Sequence, residues 1–255
     1  MRKTFFGLIT ALALLPTSMT AQEKDINAYV QADLVSHYMW RGQDLAGISI
    51  QPQIGIEWKG LSLTASGNAG FDNNDTQEID LNVNYEKWGF NIGVTDYWQT
   101  GTDPDNRYFF FSPKKGAHQF EGNIGYTCKY GSLQAYTVFA GNDFKTNGDR
   151  AFSTYIELSV PFRLGGLDWD ARAGVTPMES AGYTERVWFE AGGAQHYVDQ
   201  NHYAYGEGFT CNMASLRATK TLEYKNVEIP VFAEMHTNPY LQTATFIVGI
   251  GIKAF

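Results

Sequence analysis

Long apolar segments are missing from the sequence beyond its N-terminal segment. The apolar stretches there, such as residues 246–250, are far shorter than the roughly 20 residues that a membrane-spanning helix needs. This part of the chain is therefore not expected to cross a membrane as a helix.

Positive charge is also scarce, with 19 Lys and Arg residues against 27 Asp and Glu and a net charge of −8. This balance argues against nucleic acid as a partner and against a basic membrane-surface patch. Only 18% of residues are charged, whereas 15% are aromatic and 26 residues are glycine. Such a composition is typical of a barrel with a polar interior and an apolar exterior.

The N-terminal segment has the pattern of a secretory signal peptide. Arg2 and Lys3 supply the positive region, residues 5–15 the apolar core, and Pro16 ends that core before small residues that lead to Ala21. We therefore expect residues 1–21 to be a signal peptide and residues 22–255 to form one exported domain.

Side-chain character alternates with a period of two along most of that domain. Residues 48–59 carry apolar side chains at even positions from Ile48 to Trp58 and mostly polar ones at odd positions. Because successive side chains of a strand point to opposite faces, this segment is a strand with one apolar face. The pattern recurs near residues 26–41, 61–71, 79–85, 88–94, 120–128, 152–162, 167–175, 214–222, 227–235 and 246–254, and less clearly near 132–140. The sequence thus predicts about 12 strands, each near the length of a tilted membrane-spanning strand.

The connections between these strands alternate in length. Short ones, each with Gly or Asn and a Lys or Arg, lie near residues 58–60, 86–89, 129–132, 163–166 and 224–226. Long ones span residues 42–47, 72–77, 99–118, 141–150, 177–207 and 237–242. Short periplasmic turns and long external loops are typical of an outer-membrane barrel. In this layout Cys128 and Cys211 lie on opposite rims, which disfavours a disulfide.

A secreted soluble sandwich or a lipocalin-like barrel would also alternate, but with its apolar face inward. Large aromatics at the expected strand ends favour the membrane, where they form interfacial girdles. We therefore predict an all-β fold, an antiparallel transmembrane β-barrel in the outer membrane of a Gram-negative bacterium. The girdle candidates are Tyr38, Trp40, Trp58, Phe71, Tyr85, Trp88, Trp98, Tyr126, Phe162 and Tyr224.

The inward face of such a barrel is rich in carboxylates, which favour cations in a pore. We expect a porin-like pore for small polar solutes; a structural or ligand-binding barrel with a filled lumen remains an alternative. The candidate pore-lining residues are Asp33, His37, Arg41, Glu57, Glu78, Asp80, Glu121, Glu157, Asp170, Arg172, Arg217, Glu228 and Glu234.

The longest loop, residues 177–207, is rich in aromatics and either folds inward as a constriction or packs on the surface. Its constriction candidates are Trp188, Phe189, His196 and Tyr203. Its histidines lack the ligand spacing of a metal site, so neither metal nor cofactor is expected.

A barrel hydrolase is a further alternative. His37 and His236 would be near each other at the outer rim, but Ser36 points to the opposite face from His37 and no Gly-x-Ser-x-Gly motif is present. We therefore do not expect an enzyme.

The N-terminal third resembles a known family. Residues 35–42 read Val-Ser-His-Tyr-Met-Trp-Arg-Gly, followed by Ile-Ser-Ile-Gln-Pro at 48–52, Gln-Glu-Ile-Asp-Leu at 77–81 and Gly-Val-Thr-Asp-Tyr at 93–97. This order is similar to the TorF-type porin family of outer-membrane proteins, over about residues 33–98. The resemblance implies an outer-membrane barrel with a pore function and brings no catalytic residues.

The chain ends in Phe255, as substrates of the barrel-assembly machinery do, although its apolar row lies at Ala254, Ile252 and Ile250, one residue out of phase. The expected partners are therefore outer-membrane lipid, that machinery through the C-terminal strand, and small polar solutes.

Overall fold

A computed structural model describes residues 26–72, 75–100, 107–191 and 194–254, with the backbone alone at residues 191 and 194. The expected signal peptide 1–21 and Phe255 lie outside the described residues. No helix among the described residues is long and apolar enough to cross a membrane.

Sixteen strands are described, and twelve of them form one closed antiparallel barrel. Each barrel strand pairs with its chain neighbour in the barrel, and β1 closes the ring by pairing with both β4 and β16. The prediction of a twelve-stranded antiparallel barrel is confirmed. The strands are β1 (Ile26–Val35), β2 (Tyr38–Trp40), β3 (Gln43–Ala46), β4 (Ser49–Trp58), β5 (Leu61–Gly70), β6 (Gln77–Lys87), β7 (Phe90–Thr100), β8 (His118–Cys128), β9 (Gly131–Gly141), β10 (Thr154–Leu164), β11 (Leu167–Thr176), β12 (Gly182–Ala191), β13 (Ala194–Tyr203), β14 (Thr210–Tyr224), β15 (Val227–Asn238) and β16 (Thr243–Ala254).

The apolar rows face outward. On β7 the side chains of Phe90, Ile92 and Val94 are exposed, whereas Asn91 and Thr95 point into the barrel. The same holds around the ring, because the side-chain period of two is carried by every strand. The outer surface is therefore a continuous apolar band.

The two ends of the barrel differ. At the short-turn end, Lys59-Gly60 and Trp88-Gly89 form two-residue turns in which both residues have positive φ, the geometry of the hairpin turn that matches strand twist. The other end carries the longer connections and is called the long-loop end below. Cys128 ends β8 at the short-turn end and Cys211 lies near the start of β14 at the long-loop end, and both are free thiols.

The predicted C-terminal end of the first strand was wrong. The alternation suggested a first strand that continues to Arg41, but β1 ends at Val35 and the chain then folds into the barrel as the small hairpin β2–β3. Tyr38 and Trp40, expected in an interfacial girdle, therefore lie inside the barrel and line an internal cavity.

The poor alternation of β9 also has a cause inside the barrel. Tyr136 and Val138 point inward, where Val138 is buried and the Tyr136 ring packs on the guanidinium group of Arg41, between β2 and β3. Because the wall facing that hairpin needs apolar contacts, the polar row of this strand is interrupted.

Candidate functional site

The segment 36–48, here called the inserted hairpin, occupies the lumen at the long-loop end. Its tip is Arg41-Gly42, with φ of 51° and 86°, the same kind of turn as Lys59-Gly60. A Cβ at Gly42 would overlap the main-chain carbonyl of Asn212, so this position requires glycine for space as well as for conformation.

Arg41 forms a buried ion pair with the far wall of the barrel. Its Nη1 and Nη2 donate to the two carboxylate oxygens of Glu121 at 2.5 and 2.7 Å, and its Nη1 also donates to the Tyr205 hydroxyl at 2.9 Å. The Arg41 and Glu121 side chains are only 7% and 1% exposed. Tyr97 donates a further hydrogen bond to Glu121 at 3.1 Å. Removal of either partner would leave a buried charge unpaired, which typically costs about 3–5 kcal/mol.

Aromatic rings surround the guanidinium group of Arg41. Its Cζ lies 4.5 Å from the ring centroids of both Trp40 and Tyr136 and 4.8 Å from that of Tyr155. Burial alone would lower the pKa of Arg41, but the attraction of Tyr205 and Glu121 outweighs it and raises that pKa. Arg41 is therefore a permanent cation inside the barrel.

The hairpin is also held at other points around the ring. Asn212 Nδ2 donates to the Arg41 carbonyl at 3.4 Å, and Asn238 Nδ2 donates to the Gly42 carbonyl at 3.1 Å. On another wall, the Tyr38 hydroxyl donates to Glu78 Oε1 at 2.9 Å. Since these partners lie on β14, β15 and β6, the hairpin spans the lumen rather than leaning on one side.

Two cavities lie inside the barrel next to the hairpin. The first, about 310 Å³, is bordered by the hairpin and by the charged residues Arg172, Arg217 and Glu234. The second, about 570 Å³, lies along β6 to β11 and reaches Glu86 near the short-turn end. Tyr97, Tyr136, Glu157 and Arg172 line both cavities, so the two are adjacent.

Charged side chains line two opposite arcs of the wall. Glu78 and Asp80 lie on β6, while Arg172 and Arg217 lie on β11 and β14, about half the ring away. Arg172 pairs with Asp170 at 2.5 Å and Arg217 with Glu234 at 2.6 Å. Each of these arginines is therefore paired with a carboxylate on its own arc.

The predicted pore-lining residues separate into two groups. The first group lines one or both cavities and the second lies on the inward face outside them. The first contains His37, Arg41, Glu157, Arg172, Arg217 and Glu234, and the second contains Asp33, Glu57, Glu78, Asp80, Glu121, Asp170 and Glu228.

The loop named as a constriction candidate is mostly a hairpin. Residues 182–203 form the hairpin β12–β13, whose strands pair with each other. Trp188 packs on Tyr197 and Phe189 on His196 within that hairpin. Trp188, Phe189, His196 and Tyr203 line neither of the two cavities.

Sequence reasoning missed Tyr205 and the whole inserted hairpin. Tyr205 follows β13, is buried and binds Arg41. The sequence did contain a sign of this hairpin. Arg41-Gly42 is a basic residue followed by Gly, as in Lys59-Gly60, and it is flanked by two short segments that can pair.

The histidines named for a hydrolase lie as follows. His37 and His236 both line the first cavity, and His236 Nδ1 is 3.1 Å from Glu234 Oε1. Ser36 Oγ accepts a hydrogen bond from the Val248 amide at 3.0 Å and is 3.4 Å from His37 Nδ1. Within the described ranges, no group of three or more His, Cys, Asp or Glu residues could hold a metal ion.

Comparison with known proteins adds little beyond the architecture. No protein-family model matches the chain, and no curated protein matches its sequence. Among solved structures it is similar to CdiB from Acinetobacter baumannii, with 9% identity and a TM-score of 0.38 over 91% of this chain and 60% of that one. It is also similar to Salmonella typhi OmpF in complex with daunomycin, with 11% identity and a TM-score of 0.32 over 90% of this chain and 97% of that one. A third similar structure is the translocator domain of the autotransporter NalP from Neisseria meningitidis, with 11% identity and a TM-score of 0.33 over 90% of this chain and 87% of that one. The chain thus spans 60% of the length of CdiB, and similarities this low carry no functional argument.

Proposed function

We propose that this protein is a porin-like pore for small polar solutes in the outer membrane of a Gram-negative bacterium. The inserted hairpin is its gate. The observation that carries the proposal is the pair of adjacent polar cavities inside a barrel whose outer face is apolar. The likeness of residues 33–98 to the TorF-type porin family agrees with it.

The apolar band supports the membrane location. Ile92, Ile124 and Ile252 are each 57–60% exposed on the outer face, a poor arrangement for a barrel in water. Aromatic side chains gather at the short-turn end, as they do at membrane interfaces. They include Trp58, Trp88, Tyr126, Tyr130 and Tyr224.

The charges support a pore for polar solutes. A solute that passes through the lumen meets the carboxylates of β6 on one arc and the ion pairs of Arg172 and Arg217 on the other, a lining that favours polar over apolar molecules. The excess of carboxylates on the inward face favours cations over anions among ions of similar size.

The gate predicts a specific electrical result. The refolded protein in a planar bilayer is expected to show small, infrequent conductance steps, and Arg41→Ala is expected to show larger and more frequent ones. The reason is that the variant removes the ion pair and the ring contacts that hold the hairpin. Arg163→Ala is the matched control, because Arg163 is exposed near the short-turn end and pairs with Asp168. Equal conductance of wild type, Arg41→Ala and Arg163→Ala would contradict the gate.

A second function, a non-conducting binding barrel, is favoured by one observation. The hairpin contacts several walls of the lumen at once, as a permanent plug would. If neither the wild type nor Arg41→Ala shows conductance steps although both are correctly folded, the result would support the binding barrel and contradict the pore.

A further inference from the structure

One arc of the lumen is built from side-chain amides. Asn82 and Asn84 on β6, Asn91 on β7, Asn123 on β8 and Gln134 on β9 all line the second cavity, and together they are called the amide wall. These four neighbouring strands thus present amides to a cavity whose lining is mainly polar.

Glycines arrange the amides in two rows across three strands. Gly93 pairs with Asn84 on one side and Asn123 on the other, and Asn123 Nδ2 donates to Asn84 Oδ1 at 3.3 Å above it. A Cβ on Gly93 would lie 2.7 Å from the Oδ1 atoms of both asparagines. The glycine is therefore what lets the two amides meet.

The second row repeats this construction one strand further along. Gly125 pairs with Asn91 on one side and Gln134 on the other, and Gln134 Nε2 donates to Asn91 Oδ1 at 3.0 Å. A Cβ on Gly125 would overlap the Gln134 side chain. The two amide–glycine–amide rows lie next to each other, and neither row contains a bulky side chain.

The amides retain hydrogen-bonding capacity after these contacts. A side-chain amide has two N–H donors and an oxygen that accepts two bonds, and each row bond uses one donor and one acceptor site. Asn82 Nδ2 also donates to Thr95 Oγ1 at 2.8 Å and to the Val94 carbonyl at 3.4 Å, and Gln134 Nε2 donates to Thr127 Oγ1 at 3.5 Å. The donors left for the cavity are therefore those of Asn84, Asn91 and Asn123. The wall consequently offers both donors and acceptors to the cavity. Vicinal hydroxyl groups both donate and accept, whereas carboxylates only accept and ammonium groups only donate.

The charged residues of the second cavity lie at its edges. Glu86 is near the end of β6, while Glu157 and Arg172 lie on β10 and β11. Tyr155 donates to Glu157 at 2.8 Å and Arg172 pairs with Asp170, so these charges have protein partners. The cavity of about 570 Å³ also lies within the size range of small-ligand sites.

We propose that the amide wall is a binding subsite for neutral polyhydroxylated solutes of the saccharide class. As a step in passage this rests on the pore function proposed above, but binding itself does not. The competing explanation is that the rows only tie strands together, so the test must read out binding apart from stability.

The test uses three probes with one carbon skeleton: glucose, gluconate and glucosamine, which are neutral, anionic and cationic. Saturation-transfer NMR on the protein in micelles is expected to show glucose bound more strongly than either charged probe. The double variant Asn84→Ala/Asn123→Ala is expected to bind glucose more weakly by about fivefold or more, the effect of one lost hydrogen bond.

Two further variants keep the test decisive. Gln53→Ala removes an amide on β4 that donates to Tyr29 and does not line the second cavity, and this variant is expected to bind glucose as the wild type does. Asn123→Asp keeps the shape but replaces donors with a charge, so glucose binding is expected to fall even if the double variant unfolds. The gel shift between unheated and heated samples reports whether each barrel is folded.

The outcomes separate the two proposals. Stronger binding of gluconate or glucosamine, or unchanged glucose binding in folded Asn84→Ala/Asn123→Ala, would overturn the saccharide subsite while conductance still supported the pore. If glucose binding depends on the amide wall but the protein shows no conductance, the result would support the subsite and contradict the pore.

Discussion

At the residue scale, Gly42 meets two independent demands at the tip of the inserted hairpin. Its φ is +86°, and the space of a side chain is taken by Asn212 and Asn238. Gly148 offers a natural comparison, because its φ is +88° but a Cβ there would meet nothing within 4 Å.

This pair of glycines gives a prediction. Gly148→Ala is expected to cost about 1–2 kcal/mol for the left-handed backbone alone. Gly42→Ala is expected to cost about 1–3 kcal/mol more through overpacking, and to raise conductance because the hairpin is displaced. Urea titration in micelles and planar-bilayer recording measure the two effects. Equal unfolding midpoints for the two variants would show that the tip is not confined.

The inward or outward direction of most side chains could be predicted from the sequence, because most barrel strands keep a row of apolar residues on one face; β9, with Tyr136 and Val138 pointing inward, is an exception. The partners inside the lumen could not be predicted. Glu121 and Tyr205 lie 80 and 164 positions from Arg41, and nothing local to any of them indicates that they meet. The pairing depends on a fold in which the loop enters the barrel.

At the scale of elements, the hairpin β12–β13 is held largely by its own contacts. Arg186 donates from Nε and Nη2 to the two carboxylate oxygens of Asp199 at 2.7 and 3.1 Å. These hydrogen bonds, with the positive charge of Arg186, lower the pKa of Asp199. Because the folded pKa lies below the unfolded one, the pair stabilises the hairpin above the ordinary Asp range, and that contribution is lost as the pH falls through the folded value.

The corresponding prediction concerns a single titration. Arg186→Ala is expected to raise the pKa of Asp199 toward its ordinary value, as followed by the carboxylate NMR shift. Since both side chains are exposed, the barrel itself is expected to unfold at the same denaturant concentration as the wild type. Arg163→Ala, which leaves Asp199 untouched, serves as the reference. An unmoved Asp199 titration would refute the pairing.

Element prediction succeeded where one face of a strand belongs to the apolar outer band and failed where it does not. The bounds of β4 could be predicted within one residue and those of β16 within three, because the apolar outer band determines which residues face outward. The strands β2 and β3 meet the lumen on all sides, and β12 and β13 carry exposed aromatics on both faces, so neither hairpin shows a single apolar row. The side-chain periodicity of these four strands is therefore weak because none of them has one face on the apolar outer band.

At the scale of the whole molecule, the outer band should respond to charge according to depth. Val94 lies near the middle of β7 with its side chain outward, and Trp88 lies in the short turn before that strand. In a bilayer, Val94→Arg is expected to cost about 2–4 kcal/mol and Trp88→Arg only about 0–1 kcal/mol. Urea unfolding in lipid vesicles measures both. A soluble barrel would show no such gradient, and equal costs would argue against the membrane location.

The inserted hairpin also bears on how the ring is completed. The barrel joins its first and last strands across most of the chain, and Ser36 and Val248, hydrogen-bonded at this seam, are 212 positions apart. Pairings this remote in sequence are the slowest to form, because the chain entropy is lost before contacts compensate for it. The hairpin begins just after β1, and its tip binds Asn212 and Asn238, on the strands that precede β16. The hairpin thus ties the segment after the N-terminal strand to the two strands next to the C-terminal one, so the contacts that fill the lumen also support the pairing that closes the ring.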